Sequence, residues 1–265
     1  MLDPFLYSFA GLVVGTMVGL TGVGGGSLMT PILLLVFGQS PVVAVGTDLV
    51  FSSATKVAAT ALFGYDRRVD WSIVGRLALG SIPGAGVVIL WFWMMRSAPS
   101  AVLDHIIVRG LAVTLVITAA GLLLQFPLRR LGLKTSAASL GRAEPLPPAF
   151  TVATGLLIGV AVTLTSVGAG ALGTVALLYL YPLRLTGSKL VATDIAHALP
   201  VTMVAALGHG ALGHINLPIL GYLLLGSVPG VLIASRVSVR LPQAVTRALI
   251  AVMLAVVGER LLLAG

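Results

Sequence analysis

The chain is 265 residues long, 58% hydrophobic and only 9% charged, with mean hydropathy +1.09, whereas soluble domains carry about a quarter charged residues. That composition excludes a soluble globular domain and places the chain in a bilayer as helices, since no alternating strand pattern of a barrel occurs. The net charge of +8 reads as membrane topology rather than nucleic-acid binding, and the lack of cysteine excludes disulfides, thiolate metal sites and cysteine nucleophiles; no metal or cofactor is expected.

In chain order, residues 1–20 do not read as a signal peptide, because Asp3 stands where a basic n-region would be. Residues 5–37 are apolar for longer than one crossing needs, and Gly22, Gly24, Gly25 and Gly26 interrupt them at the middle. The pattern predicts two half-helices joined by a turn. Apolar stretches at 41–64, 72–95 and 104–126 follow, each near or beyond the ~20 residues of a membrane-crossing helix. Residues 127–148 carry Arg129, Arg130, Lys134, Arg142 and several prolines and read as a basic cytoplasmic linker. Residues 149–181 are again over-long and broken, at Ser166, Gly168 and Gly170, and stretches at 187–208, 217–235 and 242–263 complete the chain.

This order is a repeat. Gly22-Val-Gly-Gly-Gly26 returns as Ser166-Val-Gly-Ala-Gly170 at an offset of 144, while Thr47-Asp48 returns as Thr193-Asp194 and Gly80-Ser-Ile-Pro-Gly84 as Gly226-Ser-Val-Pro-Gly230 at 146. Repeats in so apolar a chain point to a secondary transporter with its site between the copies. The division is a first repeat over 1–126, the linker over 127–148 and a second repeat over 149–265.

Arginine and lysine placement bears on topology. With the linker cytoplasmic and both broken elements re-entrant, the basic residues concentrate on the cytoplasmic face, including Arg67, Arg68, Arg184 and Lys189. If both elements cross instead, that asymmetry nearly vanishes. The fold expected is therefore an all-α polytopic membrane protein of two inverted repeats, each a glycine-broken re-entrant helical hairpin plus three transmembrane helices. An eight-crossing arrangement with parallel repeats is the alternative.

The two turns carry the binding chemistry. Thr21, Gly22, Gly24, Gly25, Gly26 and Ser27 in one, with Thr165, Ser166, Gly168 and Gly170 in the other, offer hydroxyls and free amide donors at the start of a half-helix, where an anion is favoured. Close helix packing would use the same glycines. Gly22-x-Gly24 is not a dinucleotide loop, because no strand precedes it, and Gly187-Ser188-Lys189 lacks the glycine spacing of a P-loop.

Asp48 and Asp194 stand at matching positions inside apolar runs, next to Thr47 and Thr193, which join the turn residues as candidate substrate-binding groups. A carboxylate in lipid must face protein or a wet cavity, so each is a candidate for proton coupling, or else caps a helix or pairs with a cation. Lys56 lies two turns after Asp48 and matches Thr202; it pairs with an acid or attracts an anion. His197 matches Phe51 and stands one turn after Asp194, where an Asp–His pair is sterically allowed. His209 and His214 read as loop residues. The prolines of the two Gly-Ser-x-Pro-Gly segments read either as hinges or as packing positions.

Val18-Gly19-Leu20-Thr21-Gly22-Val23-Gly24-Gly25-Gly26 followed by Pro31, then Ala44-Val45-Gly46-Thr47 and Gly80-Ser-Ile-Pro-Gly84, resemble the sulfite exporter TauE/SafE family, also called TSUP, over nearly the whole chain. The resemblance implies carriage of sulfite, thiosulfate, organosulfonates or related small anions, expected across the cytoplasmic membrane of a prokaryote; with no nucleotide-binding domain in the sequence to power it, a proton or other ion is the expected co-substrate. Ser166 and Ala169 depart from the glycine-rich pattern and Val175 replaces the matched Pro31, which weakens a symmetric two-turn clamp. An anion channel is the alternative closest in chemistry. A membrane-embedded hydrolase using Asp48 and Asp194 as a dyad is another, although no Gly-x-Gly-Asp element surrounds either residue. The expected partners are thus a small anion and lipid, with no nucleic acid.

Overall fold

The computed structural model describes residues 3–21, 26–63, 69–139, 147–168, 170–181, 184–185, 188–237 and 243–264. Among them every regular element is a helix: α1 (Pro4–Thr21), α2 (Gly26–Leu35), α3 (Pro41–Phe63), α4 (Trp71–Met94), α5 (Ser100–Ser139), α6 (Pro148–Thr165), α7 (Ala171–Leu180), α8 (Ser188–Ala211), α9 (Leu217–Val237) and α10 (Gln243–Ala264). Helices satisfy their own backbone groups, which hydrocarbon demands. Five described segments are long and apolar enough to cross a membrane: Trp71–Ser97, Ser100–Gly121, Pro148–Thr165, Lys189–Ala211 and Leu217–Ala234. Large apolar side chains on their outer faces, such as Leu79, Leu90, Leu207 and Leu225, are exposed and suited to lipid. The helices α3 and α10 form where the apolar stretches predict them but lie outside that set; α3 buries Asp48, Ser52, Ser53, Thr55 and Lys56.

One difference from the sequence reading concerns helix continuity. The first part of the stretch read as a linker continues α5 as far as Ser139. Pro83 and Pro229 interrupt neither α4 nor α9, and the flanking glycines are packing positions. Gly11, Gly15 and Gly19 of α1 meet Leu223, Ser227 and Val231 of α9 in rising order, while Gly155 and Gly159 of α6 meet Leu77 and Ser81 of α4. At each of these glycines a Cβ would collide with the backbone opposite, so only glycine lets the helices approach so closely. The rising order means that α1 runs parallel to α9, and α6 parallel to α4.

The packing respects the repeat. Exchanging the copies maps the α1–α9 pair onto α6–α4 and leaves the α3–α8 and α5–α10 pairs in place, and all four pairings are present. Each broken element also closes on itself. Tyr7 at the start of α1 stacks on Phe37 just beyond α2, with ring centroids 4.2 Å apart. At the matching positions of the second copy, the Thr151 hydroxyl and the Tyr181 phenol are hydrogen-bonded at 2.6 Å. Both elements are therefore hairpins whose ends lie together, with arms of 10 residues in α2 and α7, about 15 Å each.

Candidate functional site

The hairpins direct α2 and α7 toward the first halves of α3 and α8. Thr30 of α2 donates both its backbone N–H (3.1 Å) and its hydroxyl to Asp48 Oδ2, and Ser52, one turn along α3, donates to Oδ1 at 3.2 Å. In the other copy Thr174 of α7 donates its hydroxyl to Asp194 Oδ2 at 2.7 Å. Thr30 and Thr174 match at the 144 offset, so the threonine–aspartate pair is itself repeated. The copies then diverge. Asp194 Oδ1 is buried with no hydrogen-bond partner among the described residues; it lies against Gly173, where any Cβ would strike it.

Lys56 is the cation of this centre. Its ammonium is buried, has no hydrogen-bond partner among the described residues, and lies within electrostatic reach of both Asp48 and Asp194. A buried charge is tolerated when opposite charges compensate it, and here two carboxylates from different repeats do so. Thr202, its counterpart, spends its hydroxyl on the Ala198 and Leu199 carbonyls at 2.9 and 3.0 Å.

The turn between α6 and α7 brings a group from the second repeat to the first repeat's carboxylate. Ser166 adopts a left-handed conformation with φ 59° and is buried. Its hydroxyl lies near Asp48 without closing a well-formed hydrogen bond. Gly168 (φ 118°) and Gly170 (φ 137°) supply the conformations that let this turn close tightly. Thr165 is used locally: its hydroxyl donates to Ala161 O at 2.7 Å and accepts from the Val167 N–H at 3.2 Å. In the first copy, Gly22, Gly24 and Gly25 and the side chain of Thr21 lie outside the described residues; Gly26 opens α2 and Ser27 is buried in its first turn.

Thr47 and Thr193 are directed elsewhere. The Thr47 hydroxyl accepts the Asn216 N–H at 3.0 Å and the Thr193 hydroxyl accepts the Asp70 N–H at 3.1 Å, so each pins the entry to a helix of the other repeat. These clasps are also counterparts, since Asp70 and Asn216 match at the 146 offset. Neither aspartate of the centre caps a helix. His197 does not pair with Asp194; its Nε2 meets the Ser81 hydroxyl of α4 at 2.9 Å. At the matching place in the other copy Phe51 replaces the histidine, and Ser227 has no hydrogen-bond partner among the described residues.

The reading of His209 as a loop residue is corrected: it is fully buried inside α8, where Nε2 meets the Thr163 carbonyl at 3.0 Å. His214 follows in the turn, with its Nδ1 3.4 Å from that of His209. The helical pattern that makes Leu207 lipid-facing turns His209 inward.

An ionic clasp also escaped the sequence. Arg184 grips Asp70 through two hydrogen bonds of 2.7 Å, and Lys189 adds a contact at 3.3 Å. Burial alone would raise the Asp70 carboxyl, but the bonds from Arg184, Ser72 and Lys189 outweigh it and hold the group below its ordinary value of 3.8. The repeat could have revealed Thr30 and Thr174 in advance. Nothing in the spacing links Asp70 to Arg184.

The family model for sulfite exporter TauE/SafE matches residues 7–261. A protein named probable membrane transporter protein YjnA, of Bacillus subtilis (strain 168), is 38% identical over 230 residues, covering 87% of this chain and 88% of its own length. A second, named probable membrane transporter protein YunE, of the same organism, is 33% identical over 97 residues, or 34% of this chain and 32% of its own length. No solved structure matches the chain.

Proposed function

The chain belongs to the sulfite exporter TauE/SafE family of membrane transporters, and from that premise we propose that it is a secondary carrier of a small anion of the sulfite, thiosulfate or sulfoacetate class, working by alternating access across the cytoplasmic membrane of a prokaryote. One observation carries the reading: two hairpins from different repeats bring matched Thr–Asp pairs to a buried centre with one ammonium. A site between repeats, reached by broken helices, is the arrangement many alternating-access carriers share.

Two observations support inverted repeats. With both hairpins returning to the side they start from, the parallel α1–α9 and α4–α6 pairings fit copies that point in opposite directions. Independently, Asp70, Ser81, Ile89 and Phe92 of the α4 region meet Thr193, His197, Gly208 and His209 of α8 in rising order. The helix α8 thus runs with α4, and against the α3 that precedes it. The Asp70–Arg184 clasp agrees, because the eight-crossing alternative puts those two residues on opposite faces. The face bearing Arg184 and Lys189 is cytoplasmic by the rule that basic residues stay inside.

The test is uptake of radiolabelled sulfite, thiosulfate and sulfoacetate into proteoliposomes, with and without an imposed pH gradient. Saturable, gradient-driven uptake of at least one is expected. Flux that never saturates would replace the carrier by a channel, and no flux would overturn both. The natural lack of cysteine makes topology direct to test: Ser72→Cys and Arg184→Cys should react with an impermeant thiol reagent from one face, and Ser97→Cys and Gly213→Cys from the other. Labelling of positions 72 and 184 from opposite faces would refute the inversion.

A further inference from the structure

Resting on the carrier reading, we propose that Lys56 receives the anionic head of the substrate and that Asp194, not Asp48, must first take up a proton, so that anion and proton travel together. With all three groups charged, the centre holds two carboxylates and one ammonium, and an entering anion meets net negative charge. Adding one proton brings the empty centre to zero net charge, so that the anion reaches Lys56 without a net negative charge opposing it.

The hydrogen bonds decide which carboxylate gains it. Asp48 accepts at both oxygens, from the Thr30 N–H and hydroxyl and from Ser52, and donors aimed at a carboxylate favour its ionised form. Asp194 accepts from Thr174 alone, and its Oδ1 is buried and unmatched among the described residues. An O–H bond formed at Oδ1 places no donor in conflict with a bond already made. The proton comes from the solution that the site faces and is released to the other side with the anion.

Several other ionisable groups on the surrounding helices are engaged or exposed. His197 is engaged by Ser81. His105 and Arg109 on α5, Tyr179 on α7 and Tyr222 on α9 are exposed, and Tyr7 of α1 is stacked on Phe37 at the hairpin's end. Lys56 is also the part of the site that the duplication does not repeat, its counterpart Thr202 being tied to its own helix. The shared frame supplies two acids; one copy alone supplies the cation that an anion seeks.

Thiosulfate is the probe, because its charge does not change across neutral pH. In wild-type proteoliposomes its apparent affinity should fall about tenfold per pH unit on the alkaline side, the slope of one linked proton. Asp194→Asn should hold the low-pH affinity throughout the range in which Lys56 stays charged, Lys56→Met should lose saturable binding, and Lys56→Arg should restore part of it. A protonated-carboxyl infrared band should appear on thiosulfate binding to wild type and be absent from Asp194→Asn. A wild-type affinity flat with pH, a slope that survives in Asp194→Asn, or wild-type binding by folded Lys56→Met would each overturn the proposal while the carrier reading stands. Absence of saturable wild-type uptake of thiosulfate, sulfite and sulfoacetate would overturn the carrier reading, and this proposal with it.

Discussion

Gly84 and Gly230 occupy matched places in the two glycine seams, and their replacement by alanine tests whether those seams hold the repeats together. A Cβ at Gly84 would stand 2.5 Å from the Leu156 carbonyl oxygen, and one at Gly230 would stand 2.6 Å from that of Leu12. Carbon and oxygen approach comfortably at about 3.3 Å, so each pair of helices must part by roughly 0.7 Å. The obstacle is backbone, which cannot swing aside, and a gap of about that size forfeits a quarter or more of each contact it opens. Overpacking of this kind costs about 1–3 kcal/mol, offset in part by the roughly 1 kcal/mol by which alanine exceeds glycine in a helix. A net loss of up to about 2 kcal/mol is expected for each variant, nearly additive in the double variant because the seams are separate. Gly86 lies on the same helix as Gly84 with nothing within 4 Å, and Gly86→Ala should be neutral or stabilising by up to about 1 kcal/mol. Thermal unfolding in detergent, followed by circular dichroism, reads the difference as opposite shifts in Tm. Equal shifts for Gly84→Ala and Gly86→Ala would refute the account of the seams.

Asp70→Asn should cost about 1–2 kcal/mol at neutral pH, a range discounted for the half-exposed Arg184; because the folded carboxyl titrates below its ordinary value, the stabilisation is present above 3.8 and the gap from wild type should narrow as pH falls beneath it in denaturant titrations. His214 lies outside the spanning segments, and burial holds its imidazole below the ordinary 6.5. The folded state thus prefers it neutral, and Tm should decline as pH falls below 6.5, less so in His214→Gln. His197→Phe, which copies Phe51 of the other repeat, should orphan the Ser81 hydroxyl and cost about 1–3 kcal/mol. Adding Ser81→Ala should recover part of that loss, and a strictly additive double variant would refute the Ser81–His197 coupling.

Much of the site could be found by laying one copy over the other. Asp48 and Asp194 declared themselves as acids in apolar runs, and Lys56 as a lysine deep in a crossing, because each is a costly choice that lipid does not forgive. Thr30 and Thr174 were equally available at the 144 offset, but a threonine in an apolar helix is common and gives no such warning. The Ser81–His197 bond could not be anticipated from the repeat, since Phe51 and Ser227 occupy the corresponding places without forming it.

The sequence by itself determined where the helices lie and that they come in two sets, since a bilayer leaves the backbone no partner but its own helix and the apolar run measures each element's length. It could not decide what joins segments far apart in the chain. That the broken elements close through Tyr7–Phe37 and Thr151–Tyr181, that Thr47 and Thr193 clasp the opposite repeat, and that one lysine comes within electrostatic reach of carboxylates from both repeats all depend on how closely helices approach and at what rotation. Those quantities are fixed by glycine seams and side-chain shape across the interface, which only the folded chain brings together.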